Sequence, residues 1–339
     1  MNKSLKKSPL VGLAVLLAAS LAFVVPSIAT AEDQGQNRDQ SRGQTQSRED
    51  GNQAPQVRLG NPSKTISSDS DQADYDRQDG GIAGVSVLGS RVFEAKVANA
   101  AAPKAPAVVN PNLIKHSGNA MPVTHIYAIF WGGNITSAYS SAVEGFLNSI
   151  SNSSYNRITD QYFTSPTRNS MSFVRSYADA STPPSSAPTT ASILAEVNKV
   201  VTKSAIDASG LYMVFTNNYP TRANYCAWHG AGSVSGSPVF TVAYQPFVGN
   251  TSGCAASYMT GWTPSDTSTR TAANSVESLA NVASHEIYET VTDPLLNAWY
   301  DSTGAEIGDK CAWYFGSTKI GTYSVQPEWD NASKSCLRP

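Results

Sequence analysis

The chain has 339 residues, 40% of them hydrophobic, with 24 Lys and Arg against 26 Asp and Glu. A near-neutral balance without a dense basic tract argues against a general nucleic-acid binder, and the apolar content is enough for a sizeable core.

Lys3, Lys6 and Lys7 form a basic n-region, an apolar run from Leu10 to Val25 follows, and Ala29-Thr30-Ala31 is an A-x-A site that places cleavage before Glu32. Residues 1–31 therefore read as a secretory signal peptide. A membrane anchor fits less well, because Pro26 and small residues precede Glu32 and no basic stop-transfer cluster follows. Cleavage removes three lysines and no acid, leaving 21 basic against 26 acidic residues and a net charge of −5. The expectation is a secreted, extracellular or wall-associated protein with no stable membrane insertion.

Residues 32–84 are rich in Gln, Asp, Arg, Ser and Gly and are expected to be disordered, since they cannot bury enough surface to offset the entropy of ordering them. Residues 85–121 read as a linker or pro-segment: Val85, Val87 and Leu88 suit a short strand, and Ala100 to Pro111 is linker-like. A compact domain is expected over 122–339. Val123 to Trp131 is a buried strand, Ser137 to Ile150 a helix, Ala191 to Ile206 a second helix, and Leu211 to Thr216 and Val239 to Tyr244 are further strands. This order predicts an α+β (mixed α/β) fold, a single domain around a central sheet.

Cys226, Cys254, Cys311 and Cys336 are an even set in an exported chain, which favours two disulfides. Nearest-neighbour pairing, Cys226 with Cys254 and Cys311 with Cys336, is preferred because each closes a short loop; crossed pairings remain open. Close zinc-type spacing is absent from the four.

Asn274 to Thr292 carries Val276, Leu279, Ala283, Ile287 and Thr290/Val291 at helical spacing, which predicts a helix with one buried stripe. His285 and Glu289 lie one turn apart on it and can converge on one cation. Glu286, about 100 degrees round, stands where the proton-accepting Glu of an H-E-x-x-H metalloprotease stands, which makes the helix zincin-like. A third ligand is expected from Asp309, with Glu306 or Asp293 as substitutes. Zinc is the expected ion, and His285, Glu289 and Asp309 its ligands.

The chain resembles the EXORDIUM, or phosphate-induced, proteins of plant cell walls and their bacterial exported relatives. The resemblance rests on His285-Glu286 with Glu289, Asp293-Pro294-Leu295 with Asn297 to Tyr300, Glu306 to Asp309 followed by Cys311, Phe130-Trp131-Gly132, Cys226 with His229, Phe247 to Asn250 before Cys254, and Val325-Gln326 ahead of Cys336. It covers roughly 122–336. It implies a secreted protein linked to cell expansion and growth responses, without a settled reaction.

Of the other histidines, His125 is expected inside its strand, donating to a backbone carbonyl, and His116 to be solvated. His229, three residues from Cys226 and beside Gly230, is expected to play a structural role, with an extra metal ligand or a transition-state donor the alternative. Trp299 and Tyr300 suit either a groove for a glycan or peptide or core packing. Two functions follow: a zinc-dependent peptide or amide hydrolase with Glu286 as proton acceptor, or a non-catalytic extracellular binding protein for a cell-wall polymer or protein partner.

Overall fold

The computed structural model describes residues 82–94, 112–202, 205–249, 251, 253–255, 273–312 and 319–339, all within one compact unit, Pro55–Pro339. The expected signal peptide and nearly all of the polar segment 32–84 lie outside the described residues. In chain order the elements are β1 (Val85–Glu94), β2 (Ile114–Lys115), β3 (Val123–Trp131), α1 (Ser137–Ser151), a 3-10 segment (Ser154–Tyr162), β4 (Ser170–Asp179), α2 (Thr190–Val201), β5 (Gly210–Thr216), β6 (Tyr225–Val234) and β7 (Phe240–Gln245). Then come α3 (Ala273–Thr292), β8 (Trp299–Tyr300), a 3-10 turn (Asp309–Cys311), β9 (Lys319–Ile320), β10 (Tyr323–Ser324), β11 (Glu328–Asp330) and β12 (Ser335–Leu337).

Six strands form the central sheet in the order β1-β6-β7-β5-β3-β4. β3, β4, β5 and β7 are parallel, while β6 runs antiparallel to both β7 and β1. Strands covered on both faces need apolar side chains on both, and β5 shows it: Leu211, Met213 and Phe215 enter one core cluster, Tyr212 and Val214 the other. α1 and α3 cover the first face and α2 the second. The connectivity explains this. From β3 the chain steps outward through α1 to β4, then back past β3 through α2 to β5, and right-handed crossovers of opposite direction place their helices on opposite faces. The result is a single mixed α+β domain, as the order of elements predicts.

Local signals set the helix ends. Thr136 and Thr189 are N-caps, their side chains accepting from Tyr139 N and Ser192 N. On α1 the apolar residues at helical spacing, Tyr139, Val143, Phe146, Leu147 and Ile150, are buried. α2 stops at Val201 rather than at Ile206, because Thr202 adopts a positive φ of 59° while its N–H still bonds Asn198 O. Ile206 remains buried as part of the connection.

Residues 85–94, expected outside the compact domain, form the edge strand β1, paired along its length with β6. β4 and β6 carry no clean period-2 signal and were not expected. α3 also differs from the one-stripe expectation: from Val276 to Thr292 every residue is buried. It packs against β1, β6 and β7 on the sheet and against β10 from the C-terminal segment, so its polar residues are enclosed with its apolar ones. Disulfides join Cys226 to Cys254 and Cys311 to Cys336. Among the described residues no helix is long and apolar enough to cross a membrane.

Candidate metal centre

α3 brings His285, Glu286 and Glu289 into the interior, at 0%, 0% and 2% exposure. The helical offset of four residues puts His285 Nε2 2.9 Å from Glu289 Oε1. Nε2 nonetheless makes no hydrogen bond of acceptable geometry. The two atoms are close without pointing at each other, as ligands of a shared ion are. Asp309 completes the group, its Oδ1 3.7 Å from His285 Nε2. Around a tetrahedral ion with bonds of about 2.1 Å, ligand atoms sit about 3.4 Å apart, so these spacings suit a small divalent cation. Asp309 is the solvent-facing member, with 36% of its side chain exposed.

The His285 ring is held from several directions. Phe93 of β1 stacks on it, and Gly308 approaches so closely that a Cβ there would lie 2.6 Å from Nδ1. Gln326 meets Nδ1 through its side-chain amide, Oε1 at 3.4 Å and Nε2 at 3.2 Å, and Nε2 also donates to Gly308 O at 2.7 Å. A supporting group on the second nitrogen is the usual arrangement for a metal-ligating imidazole. Asp309 N–H donates to Glu289 Oε1, and Glu306 N–H to Asp309 Oδ2.

A second histidine adjoins the same carboxylates. His229, buried in β6 directly opposite Arg91 of β1, has Nδ1 3.1 Å from Glu286 Oε2 and 3.5 Å from Glu289 Oε2. Its Nε2 is 3.8 Å from Glu306 Oε1. Glu306 and Asp293, expected as substitutes for Asp309, instead face Arg91, whose guanidinium is 3.4 Å from Glu306 and 3.6 Å from Asp293 and lies over the Tyr300 ring.

Burial and charge oppose each other here. Desolvation would lower His285, but Glu289 and its neighbours outweigh it and raise it to about 10. Burial alone would raise Glu289, yet His285 and His229 bring it down to about 2. Desolvation lifts Glu286 to about 7 despite His229. Glu306 and Glu328 are pushed well up by burial, and the neighbouring Glu289 carboxylate works in the same direction on the solvent-facing Asp309. Carboxylates thus outnumber the cationic groups among the described residues, a balance that protons or a metal cation can restore.

Other expectations are corrected. His125 is not bonded to a backbone carbonyl: it is 39% exposed, and its Nδ1 lies 2.6 Å from Asp207 Oδ2. His116 is not free in solvent, because it stacks on Tyr300 and meets its carbonyl through Nε2. Trp299 packs edge-on against Tyr162. Arg91 and Phe93 were missed because no local pattern marks a strand residue as a partner of a helix two hundred residues on. Glu328, buried with both oxygens unbonded, was missed for the same reason.

The conserved region of phosphate-induced protein 1 matches residues 113–336 of the chain, spanning the whole centre except β1. The Arabidopsis thaliana protein named EXORDIUM-like 5 is 28% identical over 255 residues, 62% of this chain and 66% of that protein, so the chain spans just under two thirds of this relative's length. No solved structure matches significantly. The family match covers well over half the sequence and includes every α3 residue of the centre, and on that ground the chain belongs to the phosphate-induced protein 1 family.

Proposed function

We propose that the protein is an exported metalloprotein whose centre takes a divalent cation, zinc by preference, on His285, Glu289 and Asp309, and that the cation serves hydrolysis of a peptide or amide bond. The observation that carries this reading is the short, non-hydrogen-bonded approach of His285 Nε2 to Glu289 Oε1 inside an acidic, buried cluster. Such a cation would supply Lewis acidity and a more acidic water. The chain's part is to hold it and to move a proton. While one ion is alone in the cluster, Glu286 accepts that proton, as the buried carboxyl raised to about 7. The spacing of His285, Glu286 and Glu289 along α3 is analogous to that of a zincin helix, and the basic n-region with its A-x-A site supports export.

A second reading is favoured by the burial of Glu286: the ion fixes the fold and a surface around Trp299 and Tyr300 binds a wall polymer or protein partner. Metal analysis of the mature protein beside His285→Ala tests the shared premise. Turnover of a peptide library by Glu286→Gln separates the two, since a hydrolase should lose about a hundredfold or more while a binding protein is indifferent.

A further inference from the structure

Glu289 uses its two oxygens differently. Oε1 lies against His285 Nε2 at 2.9 Å, and Oε2 faces His229 Nδ1 at 3.5 Å. Each histidine belongs to its own three-residue group, His285 with Glu289 and Asp309, His229 with Glu286 and Glu289, and within each group the ligand atoms are mutually within 4.8 Å. Glu289 is the member common to both. We infer that the centre holds two divalent cations, one on each histidine, bridged by the Glu289 carboxylate. The inference rests on the cluster being a metal centre and adds a second site to it.

Three observations support the second position. His229 is fully buried, with Nδ1 between the Glu286 and Glu289 carboxylates and hydrogen-bonded to Glu286 Oε2, the contact a cation would replace, while Nε2 faces Glu306 Oε1 at 3.8 Å without bonding it. The spacings of 3.1 and 3.5 Å from Nδ1 to Glu286 and Glu289 bracket the roughly 3.4 Å between ligands of a tetrahedral ion. Charge points the same way. Glu286, Glu289, Asp293, Glu306, Asp309 and Glu328 face one guanidinium, Arg91, and two imidazoles among the described residues. Glu286 Oε1, both Glu306 oxygens and His229 Nε2 are buried without hydrogen-bond partners. One dication leaves much of that excess to be met by protons or by a second cation, and a carboxylate-bridged pair about 3.5–4 Å apart is a recurrent form of the latter. With both ions bound, Glu286 becomes a ligand through Oε2, and Glu306 is the unbonded carboxylate left beside His229.

The test counts ions. Mature protein stripped with chelator is titrated with Zn²⁺ for stoichiometry and with Mn²⁺ for electron paramagnetic resonance. Two ions per chain and a spin-coupled manganese signal are expected. His229→Gln and Glu286→Gln should each lower the count to one, and the remaining manganese should be uncoupled. A single ion in the unsubstituted protein overturns the second site while leaving the proposed function standing, and no bound ion overturns both. A count of two that Glu286→Gln leaves unchanged overturns the second site as drawn here, because it removes Glu286 from the ligand set on which that site is built. If His229→Gln does not fold, the coupled or uncoupled signal of the unsubstituted protein decides.

Discussion

Phe93 lies flat against His285, with ring centroids 3.8 Å apart and planes 12° from parallel. The contact makes β1 part of the centre although β1 precedes the family-matched region. Phe93→Leu keeps apolar volume but loses the flat face. It should leave the fold intact at a cost below about 1.5 kcal/mol and weaken zinc binding about tenfold, in the range for groups that orient a ligand. Competition with a chromogenic chelator checks this, and unchanged affinity would deny the stack a role.

Gly308 is needed for space rather than conformation, since its φ is −76° and an added Cβ would sit 2.6 Å from His285 Nδ1. Gly308→Ala should destabilise by about 1–3 kcal/mol and cost more metal affinity than Phe93→Leu. Combined with His285→Ala the stability loss should largely vanish, because the clash is gone. Additive losses in denaturant melts would contradict it.

The Cys311–Cys336 disulfide, 25 residues apart in sequence, begins two residues after Asp309 and ties that turn to β12. A loop of this size is worth about 3.5 kcal/mol. Cys311→Ser with Cys336→Ser should lose about 2–4 kcal/mol and also weaken metal binding by loosening Asp309. The Cys226–Cys254 pair removed in the same way should affect stability without touching Asp309. Equal metal affinities in the two variants would separate the disulfide from the centre.

Away from the centre, Glu196 on α2 is 4% exposed beside Asp179 and Lys199, and burial together with Asp179 raises it from 4.5 to about 7. The folded state then holds this proton more tightly than the unfolded one. Its contribution is full below about pH 4.5 and is lost as pH rises through about 7. The difference is on the order of 1–3 kcal/mol. Glu196→Gln should flatten that fall between pH 5 and pH 8 in urea melts, whereas parallel losses in both proteins would refute it.

The apolar runs made β3, β5, β7 and α1 legible in the sequence, and the capping threonines agree with where the helices begin. β4 and β6 were not, and of β1 only a short strand at Val85 to Leu88 was legible and not its place in the sheet, for a physical reason: β4 is an exposed edge, β6 carries Gly, Ser and His among its buried residues, and β1 gains its partners from a strand 140 residues on. The i,i+4 spacing on α3 pointed to His285 and Glu289, and the acidic run pointed to Asp309. The pairing of His229 with Glu286 required the sheet register, and the enclosure of α3 required the C-terminal segment to fold over it. Neither leaves a local pattern.

The most direct test of a cation on α3 is anomalous diffraction at the zinc edge from crystals of the mature protein. A peak is expected about 2.1 Å from both His285 Nε2 and Glu289 Oε1, absent from His285→Ala crystals. A zinc-equilibrated crystal with ordered His285 and Glu289 side chains and no anomalous peak near either would contradict it.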